Sequence, residues 1–152
     1  MQRFSHSAKF LVTNQAIMLN SFFRVSERNH AGFILMTELA SRGDQYVSLK
    51  EVAERMTISQ AYLEEIAASL KQAGLIEGRT GPGGGYRLAQ KPEEISADKI
   101  ITALEGPVLL VECQKSANEC PAAGRCTSKS LWNVLQKNIV HTLRETKLTD
   151  LV

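Results

Sequence analysis

The sequence predicts a mainly α protein with a small β-hairpin wing: a winged helix-turn-helix plus a long C-terminal helix. Three observations predict it. Two runs with helical apolar spacing, opened by Ser48 and Ser59, are separated only by Thr57-Ile58. Between two short strand-forming runs stands the glycine-rich tip Gly81-Pro82-Gly83-Gly84-Gly85. Near the C-terminus, Leu131, Val134, Leu135, Asn138, Ile139, Thr142 and Leu143 recur every three or four residues, with polar interruptions.

Residues 1–22 form an N-terminal extension. Val12, Ile17 and Leu19 are apolar, but Asn14, Gln15 and Asn20 break any period. The stretch is either an arm that packs on a partner or an extension without function. Residues 23–92 carry the winged helix-turn-helix. Ser26 caps a helix whose apolar residues are Phe33, Ile34, Leu35, Met36, Leu39 and Ala40, ended by Gly43-Asp44. Ser48 and Glu51 form a capping box for the second helix, which turns Val52, Ala53 and Met56 inward. Ser59 caps a third, with Tyr62, Leu63, Ile66, Ala67, Leu70 and Ala73 at helical spacing and Gly74 as its left-handed stop. Residues 75–79 and 86–89 are the strands flanking the glycine tip. Residues 93–127 supply a short helix capped by Ser96, with Ile100, Ile101 and Leu104, and a loop holding all three cysteines. Residues 128–152 are the last helix, opened by Ser128 or Ser130, and a tail. A long amphipathic helix outside the first domain needs something to pack on, and a second subunit supplies it, making this a dimerisation helix.

The chain has 152 residues, 43% hydrophobic and 22% charged, with a formal net charge of +2. That composition excludes a disordered chain. The longest apolar runs, such as residues 108–111, fall far short of the roughly 18 residues of a membrane span. Lys9, Thr13, Asn14 and Gln15 interrupt the N-terminal apolar residues, which argues against a secretory leader. The expected location is cytoplasmic. Three cysteines within 14 residues, an odd set, suit a metal or redox role in a reducing compartment better than a disulfide framework. No dinucleotide fingerprint opens a helix, because the glycines at 81–85 lead into a strand. No Ser/His/Asp arrangement stands out, so an enzyme is not expected.

Several motifs in order resemble one family. They are Ala61-Tyr62-Leu63-Glu64, Ala73-Gly74-Leu75-Ile76, Gly81-Pro82-Gly83-Gly84-Gly85-Tyr86-Arg87-Leu88, Ile100-Ile101-Thr102-Ala103-Leu104-Glu105-Gly106-Pro107, the three cysteines, and Leu131-Trp132. Together they resemble the Rrf2 regulators over about 130 residues, with Phe23 where a typical member begins. The resemblance implies a homodimeric transcription factor, often a repressor, that binds double-stranded DNA.

In such a fold the third helix enters the major groove and the wing meets the minor groove or the backbone. The solvent face of the third helix offers Ser59, Gln60 and Glu64. A carboxylate accepts a hydrogen bond from cytosine N4. By resemblance, Glu64 stands where IscR-like regulators read bases. Gln60 reads adenine or touches phosphate, and Ser59 serves chiefly as the cap. Positive charge comes from Lys50, Arg24, Arg28, Arg79 and Arg87. IscR-like proteins place an arginine directly before the first wing glycine. Here Thr80 holds that place and Arg79 stands one earlier, which favours a phosphate contact over a minor-groove one. Gly83 and Gly84 let the wing backbone approach DNA.

Cys113, Cys120 and Cys126 are separated by six and five residues, without the close pair usual at zinc sites. Spacing alone leaves a cluster, zinc and free thiols open. The resemblance implies an iron–sulfur cluster, [2Fe-2S] or [4Fe-4S], that senses iron, redox or nitric-oxide status. It also leaves a clusterless CymR-like regulator, governed by thiol oxidation or a partner protein, as the alternative. Where IscR-like proteins carry a histidine three residues after the last cysteine, this chain has Lys129. His30 falls where the NsrR branch supplies an aspartate from the other subunit. It is the candidate fourth ligand, with water, glutathione, Glu27 or Glu112 as alternatives.

Overall fold

The computed structural model describes residues 24–111, 114 and 125–152. Its order is α1 (Glu27–Ser41), α2 (Leu49–Met56), α3 (Gln60–Gln72), β1 (Ile76–Arg79), β2 (Gly85–Leu88), α4 (Ala97–Glu105) and α5 (Lys129–Glu145). One 3-10 turn, Pro92–Glu94, precedes α4, and another, Leu148–Leu151, ends the chain.

Local chemistry sets most boundaries. The Ser26 hydroxyl accepts from the Asn29 N–H at 3.0 Å, satisfying one of the free donors that open α1. Ser96 does the same for Lys99 at 3.4 Å. Ser48 accepts from Lys50, but Glu51 does not close the capping box. Its carboxylate turns instead to Arg42, 2.9 Å away, because an arginine offers a stronger partner than a backbone N–H. Ser59 occupies the cap position of α3 without a side-chain hydrogen bond. Thr57 takes a left-handed φ of 56°, which turns the chain between α2 and α3, and Gly74 follows α3 at φ 70°.

The core gathers Leu35, Met36 and Leu39 of α1, Val52 of α2, and Leu63, Ile66 and Leu70 of α3 around Ile76, Ile95 and Ile100. Phe33, Ala40 and Tyr62 pack at its margin. Met56, expected inward, is 37% exposed because α2 ends there. Gly32 lets α4 come close: a Cβ there would lie 2.3 Å from Leu104 Cδ1. The hairpin is antiparallel, with Ile76 opposite Leu88 and Arg79 opposite Gly85.

The C-terminal tail is more than an appendage. Leu148 is fully buried in the core. The Ala97 N–H donates to Thr146 O at 2.9 Å, and the Leu148 N–H to Ile95 O at 2.8 Å, so the tail is stitched along the entry to α4. Between these anchors α5 buries no residue, and Leu131 and Val134 are 53% and 57% exposed. No helix among the described residues is long and apolar enough to cross a membrane.

Candidate nucleic-acid interface

A groove of about 440 Å³ opens between the start of α2, the exposed face of α3 and the wing. It is lined by Lys50, Gln60, Glu64, Arg79 and Gly84, among others. Five candidates scattered over 35 positions of sequence therefore meet on one surface. Buried Leu63, Ile66, Ala67 and Leu70 anchor α3 against the core, which turns Gln60 and Glu64 outward. The Gln60 side-chain amide donates to Glu64 Oε1 at 3.0 Å, one helical turn away. Among the described residues, Oε2 has no partner and is open to a donor from outside.

Backbone constraints build the wing. The Gly84 N–H donates to Gly81 O at 2.9 Å. A Cβ on Gly84 would lie 2.3 Å from Arg79 O and 2.8 Å from Gly81 O, both fixed backbone atoms. Gly83 has φ 69°, and its carbonyl accepts from Arg79 Nη2 at 2.8 Å.

The candidate cations divide by what already holds them. Arg28 donates through Nε to Leu104 O at 3.0 Å and through Nη2 to Ser69 Oγ at 2.7 Å, so it serves the packing of α1 on α3 and α4. Arg87 Nε donates to Glu77 Oε1 at 2.6 Å. That bond, the Tyr46 hydroxyl and the Arg87 charge hold the Glu77 carboxyl below its usual range, and the same bond raises Arg87. Arg24 lines a different, largely apolar cleft of about 870 Å³ between α1, α4 and α5. Lys50 and Arg79 remain in the groove. Tyr46 is the residue that sequence reasoning missed: Arg79 lies 4.4 Å and Arg87 4.9 Å from its ring centroid. Only the strand register brings the three together.

Of the candidate ligands, Cys113 and Cys120 lie outside the described residues, as does Glu112. Cys126 stands just ahead of α5 and is half-buried. Its Sγ lies 3.4 Å from Ser128 Oγ. The Ser128 side chain and backbone, with smaller help from the Lys129 backbone and charge, hold the thiol below its ordinary value. His30 is exposed on α1 and lines the same apolar cleft as Arg24. Among the described residues, no three His, Cys, Asp or Glu side chains form a metal-holding group.

Residues 25–152 match the family model described as "Rrf2: Iron-dependent Transcriptional regulator". The chain is 33% identical over 130 residues to "Protein rrf2" of Nitratidesulfovibrio vulgaris, covering 85% of this chain and 87% of that protein. It is 33% identical over 134 residues to the "HTH-type transcriptional regulator IscR" of Cereibacter sphaeroides, covering 85% and 86%. The solved structure of CymR, described as the global cysteine regulator of B. subtilis, superposes with a TM-score of 0.71 at 35% identity, covering 85% of this chain and 95% of that one.

Proposed function

Because the chain belongs to the Rrf2 family of transcriptional regulators, we propose that it is a cytoplasmic, homodimeric repressor that senses iron, redox or nitric-oxide status through an iron–sulfur cluster. The observation that carries the DNA-binding half is the groove in which α3 and the wing face one another. Glu64 reads a base edge through its open Oε2, with Gln60 beside it and Ser59 at the helix entry. Lys50 and Arg79 contact phosphates on either side. Gly83 and Gly84 keep the tip narrow enough to approach the backbone. Arg24 enters this reading only as a contact outside the groove. The exposed apolar residues of α5 support pairing with a second copy.

Cys113, Cys120 and Cys126 would hold the cluster. The chemistry of the donor set fits: three thiols at wide spacing, and at Cys126 a thiol already biased toward the thiolate that ligates iron. When bound, the cluster supplies sensitivity to iron supply and to oxidants. His30, exposed on α1, is offered as the fourth ligand across the dimer. The test is iron and sulfide analysis with an absorption spectrum on protein purified without oxygen. Visible bands with matching iron and sulfide support the reading, and His30→Ala then gives a more labile cluster. An unchanged spectrum and lifetime in that variant would remove His30 as a ligand.

The likeness to CymR favours one second reading, a clusterless regulator governed by thiol oxidation or a partner protein. It predicts colourless protein that resists reconstitution yet still binds DNA.

A further inference from the structure

The segment before α2 runs alongside β2. Val47 and Tyr86 exchange both backbone hydrogen bonds, at 2.8 and 2.9 Å. The antiparallel register then sets Tyr46 opposite Arg87, which itself faces Glu77. Side chains alternate across a sheet, so these three share one face, and Arg79, two residues beyond Glu77, shares it too. The tyrosine ring spans that row. Its hydroxyl donates to Glu77 Oε1 at 3.1 Å, while Arg79 and Arg87 lie 4.4 and 4.9 Å from its centroid.

The two arginines differ in what else holds them. Arg87 has its charge matched by Glu77. Arg79 faces no carboxylate among the described residues. Its second tether is the Gly83 carbonyl at the wing tip, 2.8 Å away. An arginine on an exposed hairpin otherwise samples many rotamers. Here the ring and the tip carbonyl hold the guanidinium against the wing wall of the groove.

We propose that Tyr46 is the positioning residue of the wing: its ring holds Arg79 as a preorganised, uncancelled cation for a phosphate of duplex DNA. This rests on the reading of the groove as a DNA interface. The choice of an aromatic side chain has a reason. A carboxylate would hold Arg79 as firmly but would neutralise the charge that a phosphate contact needs, as Glu77 does for Arg87. The ring quadrupole attracts the cation and leaves its charge in place.

The test is a double-mutant cycle on the full chain, read by binding to a mixed-sequence duplex of about 30 base pairs across a salt series. Tyr46→Leu should weaken binding about two- to fivefold, an exposed cation–π contact converted at tenfold per 1.4 kcal/mol. It should also lower the salt slope by up to about one, toward that of Arg79→Gln. In the Arg79→Gln background the same Tyr46→Leu change should add nothing. Tyr46→Phe, which keeps the ring, should bind within about twofold of wild type, since only the hydroxyl's bond to Glu77 is lost. Thermal unfolding of each variant reports whether the fold is intact. Equal loss from Tyr46→Leu in both backgrounds, or no loss in either, overturns the proposal while the DNA reading stands. A wild-type protein with no salt-dependent affinity for the duplex overturns the DNA reading itself, and this inference with it.

Discussion

Replacing Glu64 with alanine should separate two effects that one carboxylate combines. The side chain is exposed on α3, so removing it should change stability by less than about 0.5 kcal/mol. Its Oε1 is occupied by the Gln60 amide at 3.0 Å, and Oε2 is the atom available to a cytosine amino group. Losing the preference at one base pair typically costs about 1–3 kcal/mol, or roughly 5- to 150-fold in relative affinity. The same carboxylate repels phosphate. In a groove whose cations are Lys50 and Arg79, its loss should leave affinity for unrelated DNA unchanged or higher. Specific binding should therefore fall while non-specific binding holds. Glu64→Gln should go further and move the preference toward adenine, whose edge an amide reads through both its groups. The assay is competition binding at fixed salt. An operator is selected from a random pool, and every base pair is then substituted singly. If Glu64→Ala leaves the ranking of those substitutions unchanged, or weakens all duplexes alike, Glu64 does not read sequence.

Leu148→Ala should destabilise the protein by about 2–5 kcal/mol, because a fully buried side chain leaves a cavity where the tail meets the core. Urea unfolding at fixed protein concentration measures this. A loss under about 1 kcal/mol would mean that the tail contributes little to the core. Gly84→Ala should weaken duplex binding with little change in melting temperature, since the new Cβ would meet backbone oxygens at 2.3 and 2.8 Å in an exposed turn. Unchanged binding would show that the tip conformation is dispensable. Glu77 gives a pH prediction of definite sign. Its folded carboxyl is lowered by its bonds to Arg87 and Tyr46, so its contribution is present above the ordinary glutamate range and is lost as pH falls through the folded value. The melting temperatures of wild type and Glu77→Gln should differ near neutrality and converge in acid. Parallel curves down to the most acidic pH would refute the coupling.

The fold was legible in the sequence where a rule acts over one or two turns of chain. Ser26 and Ser96 cap as their hydroxyls allow, Gly74 stops α3, and the apolar periods of α1 and α3 point at the core. Legibility ended where side chains choose among distant partners. Glu51 left the predicted capping box for Arg42, nine residues away. Arg28, counted among the cations available to DNA, is committed to Leu104 and Ser69. Leu148 carried no signal, because a single leucine has no period and its contacts lie with Ile95 and, for the turn it opens, with α1. The candidate site follows the same division. Glu64, Gln60 and the wing glycines are visible as types at spacings, whereas Tyr46 gains meaning only from a strand register that sets it opposite Arg87.

The commitment of Arg28 bears on how a signal would reach DNA. The Leu104 carbonyl belongs to the last turn of α4, immediately before the segment that leads to the cysteines. Through Arg28 that carbonyl is tied to Ser69 on α3, and through the Asn29 amide the neighbouring Glu105 carboxylate is tied to α1 at 2.6 Å. Leu104 itself is buried against Gly32. The end of α4, α1 and α3 are thus locked by packing and by charge-assisted hydrogen bonds. Turning α3 within this unit would break the Arg28–Ser69 bond and pull the buried Leu63, Ile66 and Leu70 out of register with the core. Moving the unit as a whole breaks neither. The segment between α4 and α5 joins that rigid unit to a helix with no buried residue. Beyond α5 the chain is anchored again by Thr146 and Leu148, so a change in that segment acts most cheaply on the exposed start of α5, where Leu131 and Val134 lie. In the proposed dimer built on α5, such a change would reset the distance between the two copies of α3, and half-site spacing on DNA is the quantity that distance would control.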